Sequence, residues 1–160
     1  MAKTISIIVG SILLIILLIF GLFVNPSDSE LINKAMVESI EGARDGRPGS
    51  VIDHLARSFQ FNGQSMGSTV DVMKVVRIMK PNAVFDNLTP QIDGSQAYIN
   101  SGVRLTYGGG DQLSKVDISK VTVTLQKGTG FKWLVFPTPE WKIADVKAEG
   151  FDGSELLGGL

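Results

Sequence analysis

Residues 140–146 read EWKIADV, and their alternation of apolar and polar side chains predicts a half-buried β-strand. Trp141 and Ile143 fall on one face of this strand, whereas Lys142 falls on the other face. We therefore expect residues 141–146 to form the last strand of a sheet, with Trp141 and Ile143 directed to the core.

The same period of two extends upstream as far as residue 83. Residues 84–92 are predicted to form one strand, and Asp93-Gly94 is a strong signal for a tight hairpin turn. The returning strand has apolar side chains at alternate positions, namely Ala97, Ile99, Val103, Leu105 and Tyr107. In the following strand the apolar parity changes near Ser119, which predicts a β-bulge. Because a bulge bends its strand, we expect a long, curved, antiparallel sheet.

The chain before residue 83 shows the helical period and serine capping signals. The three signals are Ser27 with Glu30, Ser50 with Asp53, and Ser68 with Asp71. Each begins a predicted helix; the first helix ends near Gly42 or Gly46, the second at Asn62-Gly63, and the third before Pro81. The domain is therefore expected to be α+β, with about three helices packed on the sheet.

Three helices followed by a curved sheet that closes on EWKIADV resemble the nuclear transport factor two-like, or SnoaL-like, superfamily over residues 30–149. The stretch VIDHLARSFQFNG at residues 51–63 is similar to that family's second helix running into its short first strand. The resemblance implies a cone-shaped domain with an apolar pocket, which the family uses for catalysis, for ligand binding or for neither. Fold alone therefore does not determine function.

Residues 5–24, ISIIVGSILLIILLIFGLFV, contain no charged side chain and as a helix would be about 30 Å long, the thickness of one bilayer core. The stretch is longer than the apolar region of a signal peptide and lacks its cleavage site, so we predict an uncleaved single-pass transmembrane helix. Lys3 before it favours a cytoplasmic N-terminus and an extracytoplasmic, or periplasmic, domain. The predicted organisation is an anchor at 1–25, the domain at 26–149 and a Gly-rich tail at 150–160.

The side chains that catalysis would need are missing or dispersed. A carboxylate base after the second helix, which the resemblance implies for isomerases, is absent because residues 58–70 contain no Asp or Glu. The candidate pocket residues are Asp86, Tyr98, Arg104 and Tyr107. Tyr98 and Arg104, however, have the opposite strand parity from apolar Ile99. We expect no enzymatic activity and no cofactor.

The composition also argues against two further classes of site. A single histidine, His54, and the absence of cysteine leave no plausible metal site, so His54 is expected to be structural. The net charge is −1 and the sequence has no basic run, which argues against nucleic-acid binding.

Residues 128–141, GTGFKWLVFPTPEW, are longer and more apolar than a turn between two strands requires. The candidate docking residues in this segment are Phe131, Trp133, Leu134, Val135 and Phe136. Exposed aromatic side chains suit either a protein partner or the membrane headgroup region. The alternative is an extended strand pair that packs Trp133 and Val135 on the core and ends at Pro137.

These features predict a non-catalytic, single-span accessory or scaffold subunit of a larger membrane complex. Its expected partners are other integral membrane subunits and the bilayer, and Ser6 with Gly10 would allow close packing against another transmembrane helix. The alternative is a membrane-tethered binder, isomerase or hydrolase of a small apolar ligand in the cone pocket. A pocket that is filled by the domain's own side chains favours the first function.

Overall fold

A computed structural model describes residues 11–15, 26–65, 69–108, 113–132 and 136–151. The helices are α1 (Asp28–Arg44), α2 (Pro48–Ile52) and α3 (Thr69–Met79). The strands are β1 (Leu55–Phe61), β2 (Gln64–Ser65), β3 (Asn82–Phe85), β4 (Gln91–Asp93), β5 (Gln96–Tyr107), β6 (Ser114–Lys132) and β7 (Phe136–Ala148).

The strands form one sheet in the order β2-β1-β7-β6-β5-β3, with β4 also paired to β5. Consecutive long strands pair antiparallel, but β1 pairs parallel with β7. The prediction of an antiparallel sheet is therefore wrong at this pair, and the sheet is mixed. β1 and β7 are joined by most of the domain rather than by a tight turn, so no local signal specifies their relative direction.

The predicted bulge in the third long strand is confirmed. Ser101 pairs with Val121 and Val103 pairs with Ile118, so Ser119 and Lys120 together oppose Gly102 alone. A second irregularity lies in β7, where Thr124 pairs with Asp145 and Leu125 with Ile143, which leaves Ala144 as the extra residue. These two bulges bend the central strands and produce the expected curvature.

α1 begins and ends close to where the sequence predicts. Ser27 is its N-cap, and the reciprocal bonds of a capping box join the Ser27 side chain to the Glu30 amide and the Glu30 side chain to the Ser27 amide. The helix ends at Arg44, and Gly46 follows with a φ of 69°. Ile32 and Met36 are on its buried face.

The second predicted helix is too long. α2 begins at Pro48 behind an N-cap, Arg47, whose side chain makes no capping bond, and it ends at Ile52. The apolar spacing of Leu55 and Phe59 that predicts helix lies instead in β1, where pairing with β7 overrides the local preference. The order of short helix and short strand agrees with what the family resemblance implies for residues 51–63.

The predicted strand at 84–92 is divided into β3 and β4. The Asn87 side chain accepts a hydrogen bond from the Thr89 amide at 2.9 Å, which is the geometry of an Asx turn, and Pro90 follows. The hairpin at Asp93-Gly94 is confirmed, with Gly94 at a φ of 57° between β4 and β5. α3 is also confirmed, and it ends at Met79 before Pro81.

The core lies between α1 and the face of the sheet that α1 covers, which we call the inner face. Its most buried large side chains are Ile32 of α1 and three strand residues, Ile99, Val123 and Leu125. Trp141 and Ile143 are buried on the same face, as predicted. Phe151 also packs on this core, with its ring 6.3 Å from that of Phe61, so the packed domain continues past the predicted boundary at residue 149. The remainder of the predicted tail lies outside the described residues.

Within the part of the chain that the structure describes, no helix has the length and apolar character needed to cross a bilayer. Residues 11–15 of the predicted anchor are helical, and Ile12, Leu13, Leu14 and Ile15 are exposed. The rest of the predicted anchor lies outside the described residues, including Ser6 and Gly10.

Leu125→Ala should lower the free energy of unfolding by about 2–5 kcal/mol, because it removes a fully buried side chain and leaves a cavity. The neighbouring Gln126→Ala, at an exposed position of the same strand, should cost less than about 0.5 kcal/mol. Urea unfolding of the full-length chain in detergent, followed by circular dichroism, measures both values. Equal losses for the two variants would contradict this assignment of the inner face.

Candidate interaction site

The hairpin formed by β6 and β7 extends beyond the rest of the sheet. β5 pairs with β6 only as far as Gln126, and β1 pairs with β7 only from Ile143 onward. Beyond these residues the two strands pair only with each other, through Lys132 and Phe136. We call the strand segments 128–132 and 136–140 the arm, and its base is the pair Lys127 and Trp141.

The base of the arm is bonded to the beginning of α1. The Asp28 carboxylate accepts a hydrogen bond from Lys127 Nζ at 2.7 Å through Oδ2 and from Trp141 Nε1 at 3.0 Å through Oδ1. Lys127 Nζ also lies 5.8 Å from the centre of the Trp141 ring. One carboxylate therefore joins the first turn of the domain to both strands of the hairpin.

The same contacts change the titration of this carboxyl group. The hydrogen bond from Lys127, followed by that from Trp141, lowers the pKa of Asp28 below its usual value. Both bonds favour the ionised form, so Asp28 stays charged and holds the arm base throughout the physiological pH range.

The two prolines of the arm, Pro137 and Pro139, lie at positions whose amides would point away from β6. They therefore remove no hydrogen bond between β6 and β7. The Lys127 amide donates to Ser95 O at 2.8 Å, so Lys127 and Trp141 form a pair whose amides point away from each other. Pro139 opposite Thr129 and Pro137 opposite Phe131 fall at the equivalent positions. Their missing amides therefore belong to the open edge of β7, where proline discourages the addition of another strand.

The two faces of the arm differ in chemistry. One face carries Phe131 opposite Pro137, and the Phe131 side chain is 68% exposed. On the other face Glu140 crosses to Gly130, where an added Cβ would lie 2.8 Å from Glu140 Oε2. The arm is therefore a ribbon with an exposed aromatic face and a glycine face that is partly covered by a carboxylate.

The structure describes only part of the predicted docking segment. It places Phe131 in β6 and Phe136 at the first position of β7. Trp133, Leu134 and Val135 lie outside the described residues. The extended strand pair of the alternative prediction is present, but it does not end at Pro137, because Pro137 and Pro139 are paired residues of β7.

The predicted pocket residues are divided between the two sides of the sheet. Arg104 is exposed on the outer face, where its Nε bonds Asp117 Oδ1 at 3.0 Å, and the Tyr98 hydroxyl donates to Gln96 on the same face. Tyr107 is buried in the core. Asp86 lies at the end of β3, and its carboxylate is close to Gly102, where a Cβ would collide with it. The structure does not bring these four residues together in one cavity.

A cavity of about 210 Å³ lies elsewhere, between α2, β1 and α3. Leu55, Phe59 and Val72 contribute to its apolar wall, and Arg57 and Thr69 contribute the polar side chains. This volume is below the roughly 300–1,000 Å³ of common ligand sites. None of the predicted pocket residues lines it.

His54 is hydrogen-bonded to two other elements of the domain. Its Nε2 lies 2.8 Å from Glu38 Oε2, which links the turn before β1 to α1, and its backbone carbonyl accepts from the Ile143 amide at 2.8 Å. In the described ranges, no group of three or more His, Cys, Asp or Glu side chains is arranged to hold a metal ion.

No local sequence pattern predicts the role of Asp28. Its bonding partners are 99 and 113 positions away along the chain. The only local signal at Asp28 is its place in the first turn of a helix, where any acid is favourable.

No protein-family model matches the sequence, and no curated protein sequence matches it. Solved structures are similar in fold. An NTF2-like protein of unknown function in nutrient uptake from Rhodospirillum rubrum superposes with a TM-score of 0.57 at 9% identity, covering 76% of this chain and 97% of that chain. The CaMKII hub of S. rosetta gives a TM-score of 0.56 at 11% identity, covering 80% of this chain and 100% of that chain.

A candidate scytalone dehydratase from Novosphingobium aromaticivorans gives a TM-score of 0.55 at 10% identity, covering 74% of this chain and 80% of that chain. At these identities the similarity concerns the fold alone. The chain therefore has the NTF2-like, or SnoaL-like, fold that the resemblance of its sequence implied.

Asp28→Asn should lower the thermal unfolding midpoint at pH 6 by roughly 2–4 °C, the equivalent of one charge-assisted hydrogen bond of about 1 kcal/mol. Because the pKa of Asp28 is lower in the folded state, its stabilising contribution is fully present above the unfolded pKa of about 3.9 and is lost as the pH falls through the folded pKa. The difference in unfolding midpoint between wild type and variant should therefore approach zero towards pH 2.

Melting curves of the full-length chain in detergent, recorded from pH 6 to pH 2, test this dependence. Asp117→Asn is the matched control, since the Asp117 side chain is 80% exposed and pairs only at the surface with Arg104. The stabilising role of Asp28 at the arm base would be refuted if Asp28→Asn lowered the unfolding midpoint equally at every pH. It would also be refuted if Asp117→Asn lowered the midpoint by the same amount.

Proposed function

We propose that this protein is a non-catalytic, single-span accessory or scaffold subunit of a larger membrane protein complex. Residues 5–24 would anchor it, with the N-terminus cytoplasmic and the domain outside. The sequence of that segment supports anchoring, because it contains no charge over a length that spans a bilayer core. The exposed apolar side chains at Ile12 and Leu13 are consistent with a lipid or protein environment around this helix.

The observation that carries the proposal is the filled inner face of the sheet. In a cone-shaped domain this face would line a ligand pocket, but here Ile99 and Leu125 are fully buried against Ile32 of α1. Close packing of these side chains leaves little room for a substrate between them. The domain therefore offers its surfaces rather than a central cavity for function.

The polar residues support the same proposal. A catalytic site needs an acid or base within hydrogen-bond reach of the reacting group, together with a second polar group that stabilises developing charge. Tyr98 and Arg104 are on the outer face, bonded to surface neighbours, whereas Tyr107 is in the core. Their separation favours a structural subunit over an isomerase or hydrolase.

The small cavity beside β1 favours one alternative, a membrane-tethered binder of a small apolar ligand. Leu55 and Phe59 would contact the apolar part of such a ligand, and Arg57 would suit a negatively charged group on it. Its modest volume limits this alternative to small molecules.

Purification of the tagged full-length chain in mild detergent, followed by mass spectrometry, tests the proposal. We expect a stoichiometric set of integral membrane proteins to copurify with the chain. Recovery of the chain alone, carrying a bound small molecule, would contradict the accessory role and support the ligand alternative.

Ala56→Leu separates the two functions further, because it adds volume to the wall of the cavity. An accessory subunit should retain its partners in this variant, whereas a ligand binder should lose its ligand. Ser58→Leu is the matched control, since Ser58 is an exposed residue of the same strand that does not line the cavity. Loss of partners in Ala56→Leu but not in Ser58→Leu would count against the accessory role.

A further inference from the structure

We propose that the arm is a second membrane contact, with its aromatic face lying in the headgroup region of the bilayer that the N-terminal segment enters. This inference rests on the anchoring part of the proposed function. It assigns a lipid surface, rather than a protein, to the arm.

The position of α1 supports this assignment. The uncharged segment ends at Val24, and Ser27 already caps α1, so at most about 10 Å of extended chain separates the two. Asp28, the next residue, is bonded to Lys127 and Trp141 at the base of the arm. The arm therefore starts next to the point where the chain would leave the bilayer.

The opposite end of the hairpin is remote from this point. There Lys120 Nζ bonds Glu149 at 2.6 Å. From Lys127 to Lys132 the arm advances five residues, or roughly 17 Å. The arm is therefore longer than the chain between Val24 and Ser27, which spans at most about 10 Å and limits how far α1 can lie from the membrane surface.

The chemistry of the arm matches a headgroup region. The Phe131 side chain is 68% exposed and lies opposite Pro137, so a large apolar surface is presented to the surroundings. Within the arm the sequence has one lysine, Lys132, and one acid, Glu140, whose carboxylate lies at Gly130 on the face opposite to Phe131. Aromatic rings settle at the membrane interface, and lysines favour the anionic lipids there.

One common mode of protein binding is disfavoured at the same place. A peptide that adds a strand to an open sheet edge needs backbone amides on that edge. Pro137 and Pro139 remove two amides from the open edge of β7. A lipid surface has no such requirement, because it takes side chains and not a backbone ladder.

The chain contains no cysteine, so single labelling sites can be introduced into the full-length protein. Phe131→Cys, labelled with an environment-sensitive fluorophore, reports on the arm. Leu113→Cys is the matched control, because Leu113 is 67% exposed and directly precedes the other end of β6. Both proteins are reconstituted in vesicles of phosphatidylcholine and phosphatidylglycerol that contain headgroup spin-labelled lipid.

We expect the spin-labelled lipid to quench the fluorescence of the label at position 131 at least roughly twofold more strongly than that of the label at position 113. A second pair of variants tests the same contact without a label at position 131. Phe131→Asp should reduce the quenching of a fluorophore at Thr129→Cys, because a charge is disfavoured at the interface, whereas Leu113→Asp should leave it unchanged.

Flotation of the vesicles distinguishes the two levels of the proposal. A chain that does not float with the lipid overturns the anchoring function and this inference together. A chain that floats but shows equal quenching at positions 131 and 113 overturns only the membrane contact of the arm. If the label at position 131 is shielded only when copurified membrane proteins are present, the arm contacts a protein. That result would also overturn the membrane contact of the arm.

Discussion

The antiparallel pairing of β6 with β7 is the constraint on which the other elements depend. The register runs from Val121 opposite Ala148 to Lys132 opposite Phe136. The outer edge of β6 receives β5, the outer edge of β7 receives β1, and the inner face of the pair receives α1. Because both long strands contain a bulge, the sheet curves around the helix instead of remaining flat. Where neither strand has a further neighbour, the same pairing continues as the arm.

This arrangement packs large apolar side chains between α1 and the middle of the sheet. A curved sheet over a helix encloses a pocket only when the side chains on the inner face leave space, and here Ile32 and Leu125 are fully buried between α1 and the sheet. The polar side chains of Tyr98 and Arg104 lie on the outer face, because their positions in β5 have the opposite parity from buried Ile99. The fold is shared with proteins of several functions, so these local choices of side chain distinguish one function from another.

The Asp28 carboxylate connects the beginning of α1 to the base of the arm. It belongs to the first turn of α1 and reaches both strands of the hairpin. Local rules explain why an acid is stable there, because it faces the positive end of the helix dipole. They do not reveal Lys127 or Trp141 as partners, so this part of the candidate site could not be predicted. Phe131, by contrast, is a candidate docking residue in the sequence, and the structure places its side chain at the surface of the arm.

The sequence by itself determined the features that depend on near neighbours. These are the capping box at Ser27, the hairpin at Asp93-Gly94, the bulge at Ser119, and the apolar character of residues 5–24. Only the tertiary structure decided the parallel direction of β1, the early end of α2 at Ile52, and the contact between Asp28 and the arm. The physical reason is that turns, caps and periodicity act over a few residues, whereas strand direction and packing depend on segments that meet only in the folded chain.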